Sequence, residues 1–140
     1  MGKSGLVILL VFLVAGCVSG EKVQQEGQTL KIPISEINDG KAHFYSYNGA
    51  GGKTIRFFVL KSSDGVYRAA FDACDVCFEA KKGYRQEGDY MVCNNCGRRF
   101  PSTRINIEEG GCNPAPLDRE VIGGNVLIKK ADIELGGKYF

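Results

Sequence analysis

The chain has 140 residues, with 18 Lys and Arg against 16 Asp and Glu, which gives a formal net charge of +2. This length suits a single domain with its own hydrophobic core. The nearly balanced charge, without a basic block or an acidic tail, provides no electrostatic basis for nucleic-acid binding. We therefore expect one small domain and no nucleic-acid partner.

An apolar run at residues 6–15 follows a single lysine near the N-terminus. It is too short for a membrane-spanning helix, which needs about 20 residues, but it suits the core of a signal peptide. The run ends in Leu13-Val14-Ala15-Gly16-Cys17, which resembles a lipobox, where small residues precede a lipid-accepting cysteine. We predict a lipoprotein signal peptide at 1–16 and a lipid on Cys17 that anchors the protein to the extracytoplasmic face of the cell membrane. The alternative is an uncleaved anchor or an ordinary signal peptide.

We expect residues 17–29, which are polar and small, to form a flexible tether, and residues 30–140 to form the folded domain. In the domain, glycine clusters and alternating apolar residues predict short strands joined by turns. The strongest of these has Ile55, Phe57 and Val59 on one face. Pro33 restricts the first strand to the edge of a sheet. The predicted strands are 31–34, 42–47, 54–60, 66–71, 90–92 and 126–130.

A short helix is predicted at residues 72–82. Asp72 is a suitable N-cap, Lys81 and Lys82 fall in the last turn, and Gly83 follows as a stop signal. Together with the strands, this helix indicates an α+β fold, a small antiparallel β-sheet domain with one short helix.

Two Cys-x-x-Cys pairs carry the chemistry of this chain. Cys74 and Cys77 form the first pair, Cys93 and Cys96 form the second, and fifteen residues separate them. This spacing allows the four thiolates of two knuckles to converge on one tetrahedral metal ion. Gly97 after the second pair permits the left-handed backbone of such a knuckle. The alternative is two small disulfides or a thiol–disulfide couple.

Cys112 is the fifth cysteine of the predicted mature chain. It could be a buried apolar thiol, a fifth metal ligand, an exchange ligand or a redox partner. Because no disulfide partner is left for it, we predict that its sulfur lies within roughly 8 Å of the other four. Tyr90 and Phe100 are predicted to pack around the site. His43 and Met91 lack the spacing of ligands and are assigned to a strand and to the core.

The segments around the cysteines carry a family resemblance. They are Phe71-Asp72-Ala73-Cys74-Asp75-Val76-Cys77, Lys82-Gly83-Tyr84, Val92-Cys93-Asn94-Asn95-Cys96-Gly97, Phe100-Pro101 and Gly110-Gly111-Cys112-Asn113-Pro114-Ala115-Pro116-Leu117. These segments closely resemble the FtrD-like family of membrane iron–sulfur-containing proteins, over residues 42–140. The resemblance implies an iron–sulfur or other metal centre on the four paired cysteines, with Cys112 matching a further cysteine motif. Some relatives carry this domain after transmembrane helices and beside ferrous-iron uptake components, which implies a membrane redox or iron-transport complex as partner.

Three hypotheses about function follow. The first is a lipid-anchored electron carrier or iron-handling protein, with an iron–sulfur cluster or iron on the four thiolates. The second is a binding module with a structural zinc, because tetrahedral thiolate sites accept either metal. The third is a thiol–disulfide oxidoreductase that uses the first cysteine pair and Cys112. The sequence contains no recognisable set of catalytic side chains, so a metal-binding protein is favoured over an enzyme.

Overall fold

Three small antiparallel sheets and one short α-helix make up the part of the chain that the structure describes, residues 25–140 of a computed structural model. The predicted class is confirmed, although the helix is not the predicted one. The strands are β1 (Gln25–Glu26), β2 (Thr29–Pro33), β3 (His43–Asn48), β4 (Thr54–Lys61), β5 (Tyr67–Phe71), β6 (Tyr84–Glu87), β7 (Tyr90–Cys93), β8 (Arg99–Pro101), β9 (Glu120–Ile122) and β10 (Asn125–Lys129). The helix is α1 (Lys130–Leu135), and short 3-10 turns lie at Ile34–Glu36, Ala50–Gly52, Phe78–Ala80, Ser102–Arg104 and Gly136–Tyr139.

The first sheet has the order β1-β2-β10-β9, so the prediction that the first strand forms a sheet edge was wrong. However, β1 pairs only with Thr29 and Leu30 of β2. Pro33, at the end of β2, faces Asn125 of β10 alone. The proline, which has no N–H group, therefore occupies a part of the strand with a neighbour on one side only.

The second sheet has the order β3-β4-β5. Its central strand, β4, is buried on both faces, and each face packs into a different hydrophobic cluster. As predicted, Ile55, Phe57 and Val59 share one face, because side chains alternate along a strand. The main core on that face comprises Leu30, Ile32, Ile37, Ile55, Phe57, Val59, Ala69, Phe71, Ala73, Ala115, Leu117, Val126, Ile128, Ile133 and Tyr139. The cysteine-side core comprises Phe58, Leu60, Ala70, Cys74, Tyr84, Met91, Cys93, Ile105 and Cys112.

The third sheet, β6-β7-β8, carries the second cysteine pair to the cysteine-side core. β6 and β7 form a hairpin whose turn contains Gly88, and its register places Tyr84 opposite Cys93. Cys93 is the last residue of β7, and Cys96 lies in the loop that leads to β8. The hairpin therefore presents one aromatic side chain and two thiols at the same end.

The helix predicted at 72–82 does not form, and the chain there is a loop with the single 3-10 turn Phe78–Ala80. Asp72 does not cap this turn. One carboxylate oxygen of Asp72 accepts the backbone N–H of Tyr84 at 2.6 Å, and the other lies 3.3 Å from Arg56 Nε. Asp72 therefore contacts residues that are distant in the sequence and does not cap a local helix. The helix of the fold, α1, lies near the C-terminus and was not predicted.

Among residues 25–140, no helix is long and apolar enough to cross a membrane. The predicted signal peptide at 1–16 and the predicted lipid acceptor Cys17 lie outside the described residues. Gln25 is paired with Leu30 in the first sheet, although it is within the range that was predicted to be a tether, 17–29.

Candidate metal centre

The first cysteine pair lies in the loop that follows β5. Cys74 is buried, with 1% of its surface exposed, and Cys77 is half-buried. The backbone N–H of Cys77 donates to Cys74 Sγ at 3.2 Å, and the two sulfurs lie within 4.8 Å of each other. Hydrogen bonds of this kind to sulfur are among the contacts by which proteins tune thiolate-ligated metal centres.

The second pair forms a tight turn at the end of β7. The backbone N–H of Gly97 donates to the carbonyl of Cys93 at 2.9 Å, and the N–H of Cys93 donates to the carbonyl of Arg98 at 2.9 Å. Gly97 has a φ of 73°, so the predicted left-handed backbone is confirmed. The turn leaves Cys93 buried and Cys96 exposed.

Cys112 is carried to the site by a segment that runs beside β5. The N–H of Leu117 donates to the carbonyl of Ala69 at 3.1 Å, and the N–H of Ala115 donates to the carbonyl of Ala73 at 2.9 Å. The hydroxyl of Tyr84 then donates to the carbonyl of Cys112 at 2.6 Å. The position of Cys112 next to the first pair is therefore fixed by backbone and side-chain hydrogen bonds.

The five sulfurs converge in two groups of three that share Cys77. The sulfurs of Cys74, Cys77 and Cys93 lie within 4.8 Å of one another, and so do those of Cys77, Cys96 and Cys112. We call these groups the inner trio and the outer trio. The Sγ atoms of Cys77 and Cys112 are 3.7 Å apart, so the predicted approach of Cys112 is confirmed. The structure thus brings together the two predicted cysteine pairs and Cys112.

The thiols differ in how readily they ionise. Burial raises the pKa of Cys93 to about 11 and the pKa of Cys112 to about 12. In contrast, a hydrogen bond from the backbone of Arg98 is the main reason that the pKa of Cys96 falls to about 7. Cys96 is therefore substantially ionised near neutral pH, whereas the two buried thiols must exchange a proton for a metal when they bind one.

Tyr84 is a neighbour of the five cysteines that the residue patterns alone did not reveal. It is 5% exposed, and its ring packs edge-on against Phe58 and Phe100, with centroid distances of 6.4 Å in both cases. Burial, followed by interaction with Cys74, raises the pKa of Tyr84, so the hydroxyl stays protonated and available as a donor. A β-hairpin with its turn at Gly88 places Tyr84 opposite Cys93, and this pairing is the signal that could have identified Tyr84.

Other predicted neighbours of the site have different outcomes. Phe100 packs against the cysteine-side core as predicted. The prediction for Tyr90 was wrong, because this side chain is 40% exposed and lies under the guanidinium of Arg99. His43 on β3 has its Nε2 atom 2.9 Å from Asp39 Oδ1. Met91 is fully buried in the cysteine-side core.

Two cationic side chains line a small cavity next to the first cysteine pair. Arg56 and Lys81 line the same small cavity as Cys74, Cys77 and Cys93. Arg56 Nη2 donates to the carbonyl of Lys81 at 3.2 Å, and Lys81 Nζ donates to the carbonyl of Tyr139 at 2.9 Å. Both cationic groups are thus held beside the cavity by backbone carbonyls, and Arg56 is also paired with the carboxylate of Asp72 at 3.3 Å.

The donor set and its spacing fit a soft metal. A metal–sulfur bond of about 2.3 Å places neighbouring sulfurs of a tetrahedral site about 3.8 Å apart. The observed 3.7 Å between the sulfurs of Cys77 and Cys112 agrees with that separation. Thiolates select iron–sulfur clusters, zinc and copper(I) over hard cations.

Residues 37–140 match the model of a family described as membrane iron-sulfur containing protein FtrD-like. The chain belongs to this family. The matched range of this FtrD-like chain includes all five cysteines of the site. Among solved structures, the chain is similar to the quaternary ammonium Rieske monooxygenase CntA, with 16% identity and a TM-score of 0.46, over 71% of this chain and 30% of that chain. The comparison with curated proteins found no match.

Proposed function

We propose that this chain is a membrane-anchored extracytoplasmic protein with an iron–sulfur centre, and that it carries electrons for a membrane redox or iron-transport complex. The observation that carries the proposal is the convergence of five thiols in two trios. The description of the family as membrane iron–sulfur proteins favours iron over zinc. When bound, such a centre supplies reversible one-electron transfer.

The residues of this chain would hold the centre between a buried wall and an open edge. Cys74 and Cys93 are at most 2% exposed and pack in the cysteine-side core, which keeps water from that side. Cys96 lies at the exposed edge. Burial and hydrogen bonds to sulfur set the reduction potential of thiolate-ligated iron, and exposure gives an electron partner its closest approach.

A lipid on Cys17 would keep this centre close to the membrane. Eight residue steps separate Cys17 from Gln25, the first residue of β1. A fully extended chain covers about 3.5 Å per residue, so the domain would lie within about 30 Å of the lipid. This short reach favours an electron partner that is itself embedded in or bound to the membrane.

The proposal is tested by purifying the full chain without oxygen and measuring iron, acid-labile sulfide and the visible absorption spectrum. We expect iron, sulfide and thiolate-to-iron charge-transfer bands. Cys93→Ser should lose iron but stay with the membrane fraction, and Cys17→Ser should keep iron but leave that fraction. A colourless protein that contains only zinc, or a membrane fraction that is unchanged in Cys17→Ser, would contradict the corresponding half of the proposal.

A thiol–disulfide oxidoreductase is the second candidate, and one specific distance favours it. The Sγ atoms of Cys77 and Cys112 are 3.7 Å apart, so after a small movement the two thiols could reduce a substrate disulfide to its dithiol and become a Cys77–Cys112 disulfide. Metal-free, reduced protein that converts a disulfide substrate to its dithiol and gains a Cys77–Cys112 disulfide would support this function. A structural zinc site is the other alternative, and metal analysis distinguishes it from both the iron–sulfur protein and the oxidoreductase.

A further inference from the structure

We infer that Cys77 is a bridging thiolate between two metal ions. Cys74 and Cys93 would complete the inner site, and Cys96 and Cys112 would complete the outer site. The inference rests on the proposed metal-binding function and deepens it, because it assigns the number of ions and a role to each thiol.

The spacing of the sulfurs carries the first step of the argument. A single tetrahedral ion requires four sulfurs that are all about 3.8 Å from one another. Within residues 25–140, the sulfurs that all lie within 4.8 Å of one another form two groups of three, and Cys77 belongs to both. The geometry thus matches two neighbouring sites with one shared ligand better than one site with four ligands.

The number of ligands carries the second step. Five thiolates are one too many for a single tetrahedral ion. Two tetrahedral ions have eight positions, and five cysteines fill six of them when Cys77 is counted at both ions. One inorganic sulfide shared by the two ions would fill the remaining two positions, and sulfide is the ordinary bridging ligand of protein iron–sulfur centres.

The third step is that the outer trio is a built arrangement. Cys112 is 8% exposed, its carbonyl accepts the hydroxyl of Tyr84, and the segment that follows it is hydrogen-bonded to β5. Its approach to Cys77 is therefore held from two sides. The inner trio is supported by the apolar residues of the cysteine-side core. The two ions would thus have unequal surroundings, one ion enclosed and the other at the surface beside Cys96.

The test is the stoichiometry of metal and sulfide in the full chain. Protein reconstituted without oxygen from ferrous iron and sulfide should contain two irons and one sulfide per chain. Cadmium alone, without sulfide, should bind as two ions in native mass spectrometry. Cys112→Ser should retain the inner ion, whereas Cys77→Ser should lower the cadmium affinity of both sites tenfold or more. Cys17→Ser serves as the control and should bind both ions.

Each other outcome overturns the inference. Two irons with two sulfides, and a Cys112 that is alkylated in the loaded protein, would show an ordinary four-thiolate cluster and leave the proposed function intact. One ion per chain, or two ions retained by folded Cys77→Ser, would remove the bridge. Absence of any bound metal would remove both this inference and the proposed function. Circular dichroism checks that each variant is folded. If a variant is unfolded, the metal and sulfide stoichiometry of the wild-type chain alone tests the inference.

Discussion

Tyr84→Phe removes one hydroxyl group from the contact that holds the Cys112 loop. In the native chain this hydroxyl donates to the carbonyl of Cys112 at 2.6 Å, and the tyrosine is 5% exposed. The ring keeps its packing against Phe58 and Phe100 after the substitution, so only the contacts of the hydroxyl are lost. A buried acceptor left without its donor costs about 1–3 kcal/mol. We expect the unfolding free energy of the reduced, metal-free chain to fall by that amount.

The same substitution gives a local measurement. If the Cys112 loop opens while the rest of the domain stays folded, a cost of about 1–3 kcal/mol corresponds to a rise of about 5- to 150-fold in the population of the open form. The alkylation rate of Cys112, followed by mass spectrometry, should rise accordingly. Tyr90→Phe is the matched control, because that side chain is exposed, and it should change stability by less than about 0.5 kcal/mol. An unchanged unfolding free energy and an unchanged alkylation rate in Tyr84→Phe would refute the reasoning.

Two further predictions concern the stability of the fold. Gly83→Ala should destabilise the domain more than Gly88→Ala, although both glycines have left-handed φ angles, 63° and 60°. The strained backbone costs about 1–3 kcal/mol at either position. Only at Gly83 would the new Cβ also overlap a neighbour, the carboxylate of Asp72. Equal losses of unfolding free energy in the two variants, measured by denaturant unfolding, would contradict this clash. A hydrogen bond from Ser62 is the main reason that the pKa of Asp64 falls to about 2. Since the unfolded value is about 3.9, this carboxylate contributes stability that is present above about pH 4 and lost as the pH falls towards 2. Asp64→Asn should therefore flatten the stability curve in that range, and a curve identical to that of the wild type would rule the contribution out.

Local patterns predicted six of the ten strands and missed β1, β6, β8 and β9, and the predicted helix did not form. The alternation in β4 correctly placed Ile55, Phe57 and Val59 on one face, because the period of a strand depends only on neighbouring residues. The predicted helix at 72–82 also had good local signals, but Asp72 binds the backbone of Tyr84 and the side chain of Arg56 instead. Those contacts are distant in the sequence, so no local pattern could show that they would displace a helix cap.

The cysteines of the site could be predicted, but the way they are grouped could not. Spacing identified the two pairs, and the odd number of mature cysteines correctly indicated that Cys112 approaches them. The grouping into two trios depends on how the segment after Cys112 pairs with β5 and on the Tyr84 hydroxyl, and both are tertiary contacts. The number of cysteines in the sequence limits how many metal ligands the site can supply. Only the distances between their sulfurs show that Cys77 belongs to both trios.

The two hydrophobic cores of the domain differ in how their packing depends on a bound metal. The main core contains none of the five thiols, so its packing requires no metal. The cysteine-side core contains Cys74, Cys93 and Cys112, and burial raises the pKa of the latter two. Without a metal these two thiols stay protonated at neutral pH and pack as small apolar groups. Metal binding then replaces their protons, so it should release protons, strengthen with rising pH and stabilise the cysteine-side core in particular.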